Sequence, residues 1–221
     1  MSRLISGPKR PYHKDELIFN RKKIEIIPGV TVLVGCNGTG KTTLLYRIRE
    51  NLKSFGIPHR LYDNLLEGGN SAMQASLFND RVSLLATLAT SSEGEQILIN
   101  LGNAAQRIGE FCSAHKGAKE LWILLDALDS GLSIDNIIDI KKLFHTIIET
   151  NPNSEVYIVV AANTFEMCLG EKCLDVRNGT YREFKSYDAY RNFILRSRDH
   201  KDNRVTKSRY YNMYIFSLLY V

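Results

Sequence analysis

Two rhythms of apolar and polar positions organise the chain: short alternating or unbroken apolar runs that predict strands, and spacings near 3.6 that predict helices. Residues 1–16 carry Pro8, Pro11 and scattered basic residues and read as an irregular arm. Short strand-like alternation follows at Glu16 to Phe19 and Lys23 to Ile27. Pro28-Gly29 marks a turn, and Val30 to Val34 predicts a buried strand. Thr42 to Phe55 sets Leu44, Leu45, Ile48 and Leu52 on one side of a helix that Gly56 and Pro58 end. His59 to Tyr62 reads as the next strand and Leu65 to Asp80, polar and Gly-containing, as a loop with short irregular helices. Helical spacing returns at Arg81 to Thr90, breaks at S-S-E-G-E-Q, and resumes from about Gln96 to His115. Leu121 to Leu125 is an apolar strand ending at Asp126, Ile137 to Thr150 an amphipathic helix, and Val156 to Ala162 a β-branched strand. Cys173 to Phe184 predicts a hairpin turning at Asn178-Gly179. Strands alternating with helices predict an α/β domain with a mostly parallel sheet flanked by helices.

Composition narrows this. A chain of 221 residues, 44% apolar, suits one α/β domain with a core and is short for two. We divide it into a domain over residues 1–188 and a tail over residues 189–221. The four cysteines form no C-x-x-C pair and have no histidine at metal-ligand spacing, which argues against a zinc knuckle or disulfide framework and suits a reducing compartment. The N-terminus has no apolar stretch of signal-peptide type, and no apolar run approaches the roughly 18 residues of a membrane span. The expectation is a soluble, cytoplasmic protein. A net charge of +5 and a pI near 9.0 fit nucleic acid or an anionic surface as partner, and equally a solvated basic face. From Arg191 to Arg209 there are seven Lys or Arg against Asp199 and Asp202. This stretch suits either contact with a phosphate backbone or a solvated amphipathic helix. Tyr210 to Val221 is apolar and aromatic, and is expected to pack on the domain or a partner.

Residues Gly35 to Thr42, G-C-N-G-T-G-K-T, match G-x-x-x-x-G-K-[ST], the Walker A pattern, at every position. Backbone N–H groups converge on phosphate oxygens only where no Cβ crowds the turn, which explains Gly35, Gly38 and Gly40; Asn37 lies within the same loop. Lys41 is expected to reach the β and γ phosphates, and the Thr42 hydroxyl to hold Mg²⁺ at a helix N-terminus. A plain Gly-rich turn is the alternative. Asp126 ends an apolar strand, where open α/β sheets place ligands, and is the expected second holder of Mg²⁺; alone it is also an ordinary strand end. The predicted ligand is ATP with Mg²⁺.

N-G-T-G-K-T-T-L at Asn37 to Leu44, S-S-E-G-E-Q about 50 residues later, and L-L-D-A-L-D-S-G-L-S beyond it together resemble the ATP-binding-cassette class of P-loop ATPases. The flavour is that of the SMC and RecF-like branch, whose signature is commonly written S-x-G-E. The resemblance covers residues 16–185 and implies a cassette-like fold with an N-terminal antiparallel β region. Ser92, Gly94 and Glu95 match the signature, which in the family closes over the γ-phosphate held by a partner subunit. The implied assembly is therefore a homodimer with ATP at its interface, working with a second protein subunit. The same S-S-E-G-E also reads as a helix cap. By the resemblance Thr43 contacts the α-phosphate, Ser130 to Ser133 crosses the dimer interface, and Gln74 senses Mg²⁺ and the attacking water, although Gln74 is as readily an ordinary loop residue. Tyr12 is a candidate for stacking on adenine.

Two departures bear on catalysis. The family usually has Asp-Glu at the end of the second strand, yet here Asp126 is followed by Ala127. The switch-loop histidine should fall near Asn163, where Asn can hydrogen-bond a phosphate oxygen but carries no charge. Binding is expected to survive both changes and fast hydrolysis is not. About 50 residues between the P-loop and the signature leave no room for coiled-coil arms. Three readings stay open: a dimerising ATPase switch in a nucleic-acid-related complex, the energising subunit of a membrane transporter, and an ATP-binding pseudo-enzyme.

Overall fold

The computed structural model describes residues 2–6, 23–63, 105–129 and 132–201. Its centre is β3 (Gly29–Val34), five of whose six residues are buried. Around it lie β4 (His59–Asp63), β5 (Glu120–Asp126), β6 (Glu155–Ala161), β7 (Lys172–Asp175) and β8 (Thr180–Arg182). The six strands form one sheet in the order β4-β5-β6-β3-β7-β8. All neighbours are parallel except the β7–β8 hairpin. The runs E-L-W-I-L-L-D and E-V-Y-I-V-V-A are buried at six of seven positions because helices cover both faces of a parallel sheet. Two short strands, β1 (Arg3–Ser6) and β2 (Lys23–Ile26), pair antiparallel in a separate two-stranded sheet. Strand β1 corrects the irregular arm expected over residues 1–16: four residues with one buried side chain, Ile5, give too short an alternation to stand out beside Pro8 and Pro11. This is the expected α/β fold, a mostly parallel sheet flanked by helices, with an antiparallel β region near the N-terminus.

One face of the large sheet packs against α1 (Lys41–Ser54), whose Leu44, Leu45, Ile48 and Leu52 are buried together with Ile5, Ile24 and Ile26 of the small sheet. Burying each such side chain contributes about 1.5–3 kcal/mol, so one apolar stripe fastens both the small sheet and the phosphate-loop helix. Trp122 and Tyr157 stack on this face at 3.9 Å. The opposite face takes α2 (residues 105–114), α3 (Ile134–Thr150), the short α4 (Phe165–Cys168) and α5 (residues 187–201). Helix α3 begins one turn before the predicted Ile137, because Ile134 lies exposed ahead of the first buried position and does not enter the apolar periodicity. Helix α5 covers the first part of the predicted tail, with Tyr190 and Phe193 buried in the core. Cys36, Cys112, Cys168 and Cys173 are buried free thiols. Among the described residues no helix is long and apolar enough to cross a membrane.

Candidate functional site

Strand β3 delivers the chain into a tight loop whose geometry depends on its glycines. A Cβ on Gly35 would stand 2.6 Å from the Thr39 hydroxyl oxygen, a distance no real side chain tolerates. That hydroxyl donates to the Cys36 carbonyl at 2.8 Å and closes the turn. Gly40 then precedes α1 in the left-handed region at φ 98°, with no side-chain cap and no acidic residue in the first turn. The first N–H groups of α1 thus have no capping side chain, the arrangement that suits an anion at a helix N-terminus.

Lys41 is 9% exposed, and its ammonium donates to the Gly35 carbonyl at 2.7 Å and the Cys36 carbonyl at 3.4 Å. Burial lowers its pKa, opposed by Cys36, Asp129 and Asp126. The Thr42 hydroxyl donates to the Asp126 carboxylate at 3.2 Å, although 84 residues separate them. A hydroxyl and a carboxylate oxygen side by side are the hard donors Mg²⁺ takes, one or two from protein and the rest from phosphate and water. These two residues fit that ion.

A cavity of about 260 Å³ opens at the carboxyl ends of β3, β5 and β6, where open α/β sheets hold their ligands. Nine sequence-predicted residues line it: Asn37, Gly38, Gly40, Lys41, Thr42, Thr43, Asp126, Ala127 and Asn163. Gly35 lies behind the loop and shapes it. Gln74, Ser92, Gly94, Glu95, Tyr12 and Ser130 lie outside the described residues, as do the predicted loop at Leu65 to Asp80 and the strand at Glu16 to Phe19.

Ala127 sits at φ 50°, the one non-glycine residue in the left-handed region among those described. Such a position stores on the order of 1–3 kcal/mol and clusters at functional sites. Asn163 is held on both sides of its backbone. Its N–H donates to Asp129 at 2.6 Å, and its carbonyl accepts from the Tyr190 hydroxyl at 2.7 Å. Asp129 is therefore occupied as a brace for the loop after β6.

Sequence reasoning missed four residues that shape the site. Asp129 and Tyr190 brace Asn163, the Ser197 hydroxyl oxygen accepts from the Cys36 N–H at 3.3 Å, and Lys201 donates to the Asn37 carbonyl at 2.9 Å. The last two come from α5, more than 160 residues downstream of the loop. Only the basic character of the tail signalled them.

No family model and no curated protein matches the chain. Among solved structures, it is similar to a nucleotide-free ATP-binding cassette from an ABC transporter, with TM-score 0.46, 15% identity, and 88% of this chain and 96% of that chain covered. A second ATP-binding cassette of an ABC transporter, in its ADP conformation, gives TM-score 0.49 and 14% identity over 88% of this chain and 95% of that chain. A DNA replication initiation factor gives TM-score 0.33 and 18% identity over 62% of this chain; the chain spans 32% of that protein's length.

Proposed function

We propose that this chain binds Mg²⁺ and ATP as a P-loop ATPase domain of the ATP-binding-cassette type, in its SMC/RecF-like branch, and dimerises around the nucleotide as a switch. The observation that carries the reading is the convergence of Asn37, Gly38, Gly40 and Lys41 of the phosphate loop, the Thr42–Asp126 pair and the two departure positions Ala127 and Asn163 on one cavity. Loop N–H groups and the Lys41 ammonium bind the phosphates, the ammonium exchanging loop carbonyls for phosphate oxygens. Thr42 and Asp126 hold Mg²⁺, which neutralises charge on the phosphates when bound. Asn163, braced by Asp129 and Tyr190, offers a neutral hydrogen bond toward a terminal phosphate.

Ala127 supports a slow or ATP-holding cycle, because a methyl group cannot orient or deprotonate water. The homodimer built on Ser92, Gly94 and Glu95, the sensing role of Gln74, a second protein subunit, a nucleic-acid-related setting and a cytoplasmic location belong to the same proposal. So does the division into a domain over residues 1–188 and a segment over residues 189–221 whose first part docks as α5. The test is calorimetric titration of ATP with Mg²⁺ into the chain and into Lys41→Ala. Binding by the former alone bears the reading out, and equal binding by both removes the phosphate loop from it.

A further inference from the structure

We propose that a second cavity, between the β7–β8 hairpin and α5, is a binding site for a phosphate group. Its volume is about 160 Å³ and it shares no lining residue with the first. That is below the roughly 300–1,000 Å³ of pockets that enclose a whole small molecule, and it suits one charged group rather than a nucleoside.

The wall is built for an anion. Arg177 from the hairpin turn, Arg182 from β8 and Arg196 from α5 all line it, beside His200. The one carboxylate among them, Asp175, is 2% exposed and committed to the turn: it accepts from the Arg177 N–H and the Asn178 amide, both at 3.0 Å. Arg182 lies 3.4 Å from Asp175 and 5.0 Å over the Phe193 ring, so its guanidinium is held in place before any ligand arrives. Asp175 thus offsets one of three guanidiniums. Among the described residues neither Arg177 nor Arg196 stands in an ion pair, and the cavity keeps an excess of positive charge.

Ser197 adds directionality. It is 6% exposed, lines the cavity, and its oxygen accepts from the Cys36 N–H. Among the described residues its own proton has no acceptor, and a phosphate oxygen in the cavity would take it. The inventory of three guanidiniums and a buried hydroxyl matches the tetrahedral, multiply accepting oxygens of phosphate, for which arginine is the preferred partner. Both a nucleic-acid backbone and a free phosphorylated molecule carry that group.

The experiment uses the full chain carrying Lys41→Ala, so that phosphate binding at the first cavity does not enter the readout. Two probes are titrated: a labelled single-stranded oligodeoxynucleotide by anisotropy at low salt, and pyrophosphate by calorimetry. At least one probe binds, and Arg177→Ala and Arg196→Ala each weaken it about tenfold, the worth of one charge-assisted hydrogen bond. Lys185→Ala, which removes an exposed cation outside the cavity, leaves affinity unchanged. For the oligonucleotide, each arginine variant also lowers the log–log salt slope by about 0.7. Oligonucleotide binding with this pattern assigns the site to a nucleic-acid backbone, and pyrophosphate binding alone assigns it to a free phosphorylated ligand. Binding of neither probe overturns the proposal, as does unchanged affinity in both arginine variants with native circular dichroism, or an equal loss in Lys185→Ala.

Discussion

The carboxylate of Asp129 accepts the backbone N–H of Asn163 at 2.6 Å and that of Thr164 at 2.7 Å, tying the loop after β5 to the loop after β6. Both loops line or border the first cavity, and the tie runs through a side chain only 4% exposed. One oxygen, Oδ2, accepts both bonds, and among the described residues Oδ1 has no hydrogen-bond partner. A carboxylate oxygen that accepts two successive backbone N–H groups is a structural anchor for the Asn163 position.

Asp129→Ala should therefore destabilise the domain by about 1–3 kcal/mol, since two part-buried N–H groups lose a charged acceptor. Asp129→Asn keeps one acceptor oxygen and should lose less. Urea unfolding midpoints of the three proteins measure this, and ATP affinity in parallel reports whether Asn163 has been released. An unchanged midpoint in Asp129→Ala would mean that the tie carries no load.

Lys41 gives a pH prediction with two opposite signs. Its folded pKa lies below the ordinary 10.5 because of burial, so between that lowered value and 10.5 the unfolded chain binds more protons than the folded one. Stability from this group therefore rises with pH through the window. Phosphate binding needs the ammonium, so ATP affinity falls as pH rises through the same lowered value. Calorimetry across an alkaline pH series should show affinity declining before 10.5 while the contribution of Lys41 to thermal stability, read against Lys41→Ala, grows. Affinity that holds constant up to 10.5 would show that Lys41 carries no phosphate.

The strands of the large sheet, α1 and the phosphate loop were legible because each is a local pattern: apolar runs, a stripe at Leu44, Leu45, Ile48 and Leu52, and glycines where a Cβ has no room; β1 was not, since it has a single buried side chain, Ile5. Lateral order was not legible. Thr42 and Asp126 meet although β6 is laid between their strands, and that insertion is what brings Asn163 between loop and carboxylate. The reach of α5 back to the phosphate loop was equally hidden, since Ser197 and Lys201 carry no local signal and matter only through where the helix docks. Long-range side-chain to backbone bonds of this kind leave no periodicity in a sequence.

The proposed dimer rests on the signature at Ser92, and a single change tests it. Ser92→Arg should leave ATP binding by the monomer largely intact while preventing an ATP-dependent pair, because a bulky cation would displace the cradle at the interface. Light scattering with and without ATP measures both species. A pair that still forms on ATP addition would return S-S-E-G-E to the role of a helix cap.

Ala127 is the residue most at odds with its neighbours. It follows the Asp126 that pairs with Thr42, it lines the cavity, and it holds a left-handed backbone that a glycine would adopt at less cost. A non-glycine residue held in this region is a strained backbone position of the kind that clusters at functional sites. The group present is a methyl, so in the proposed site position 127 supplies no base to water. Turnover should be slow, and Ala127→Glu should raise single-turnover hydrolysis by about two to four orders of magnitude, the usual worth of a positioned general base. The stabilisation that ATP confers on the chain with Ala127 should persist for long periods, and in Ala127→Glu it should decay as nucleotide is consumed. Equal single-turnover rates for the two proteins would show that another residue activates the water and that position 127 is not the catalytic one.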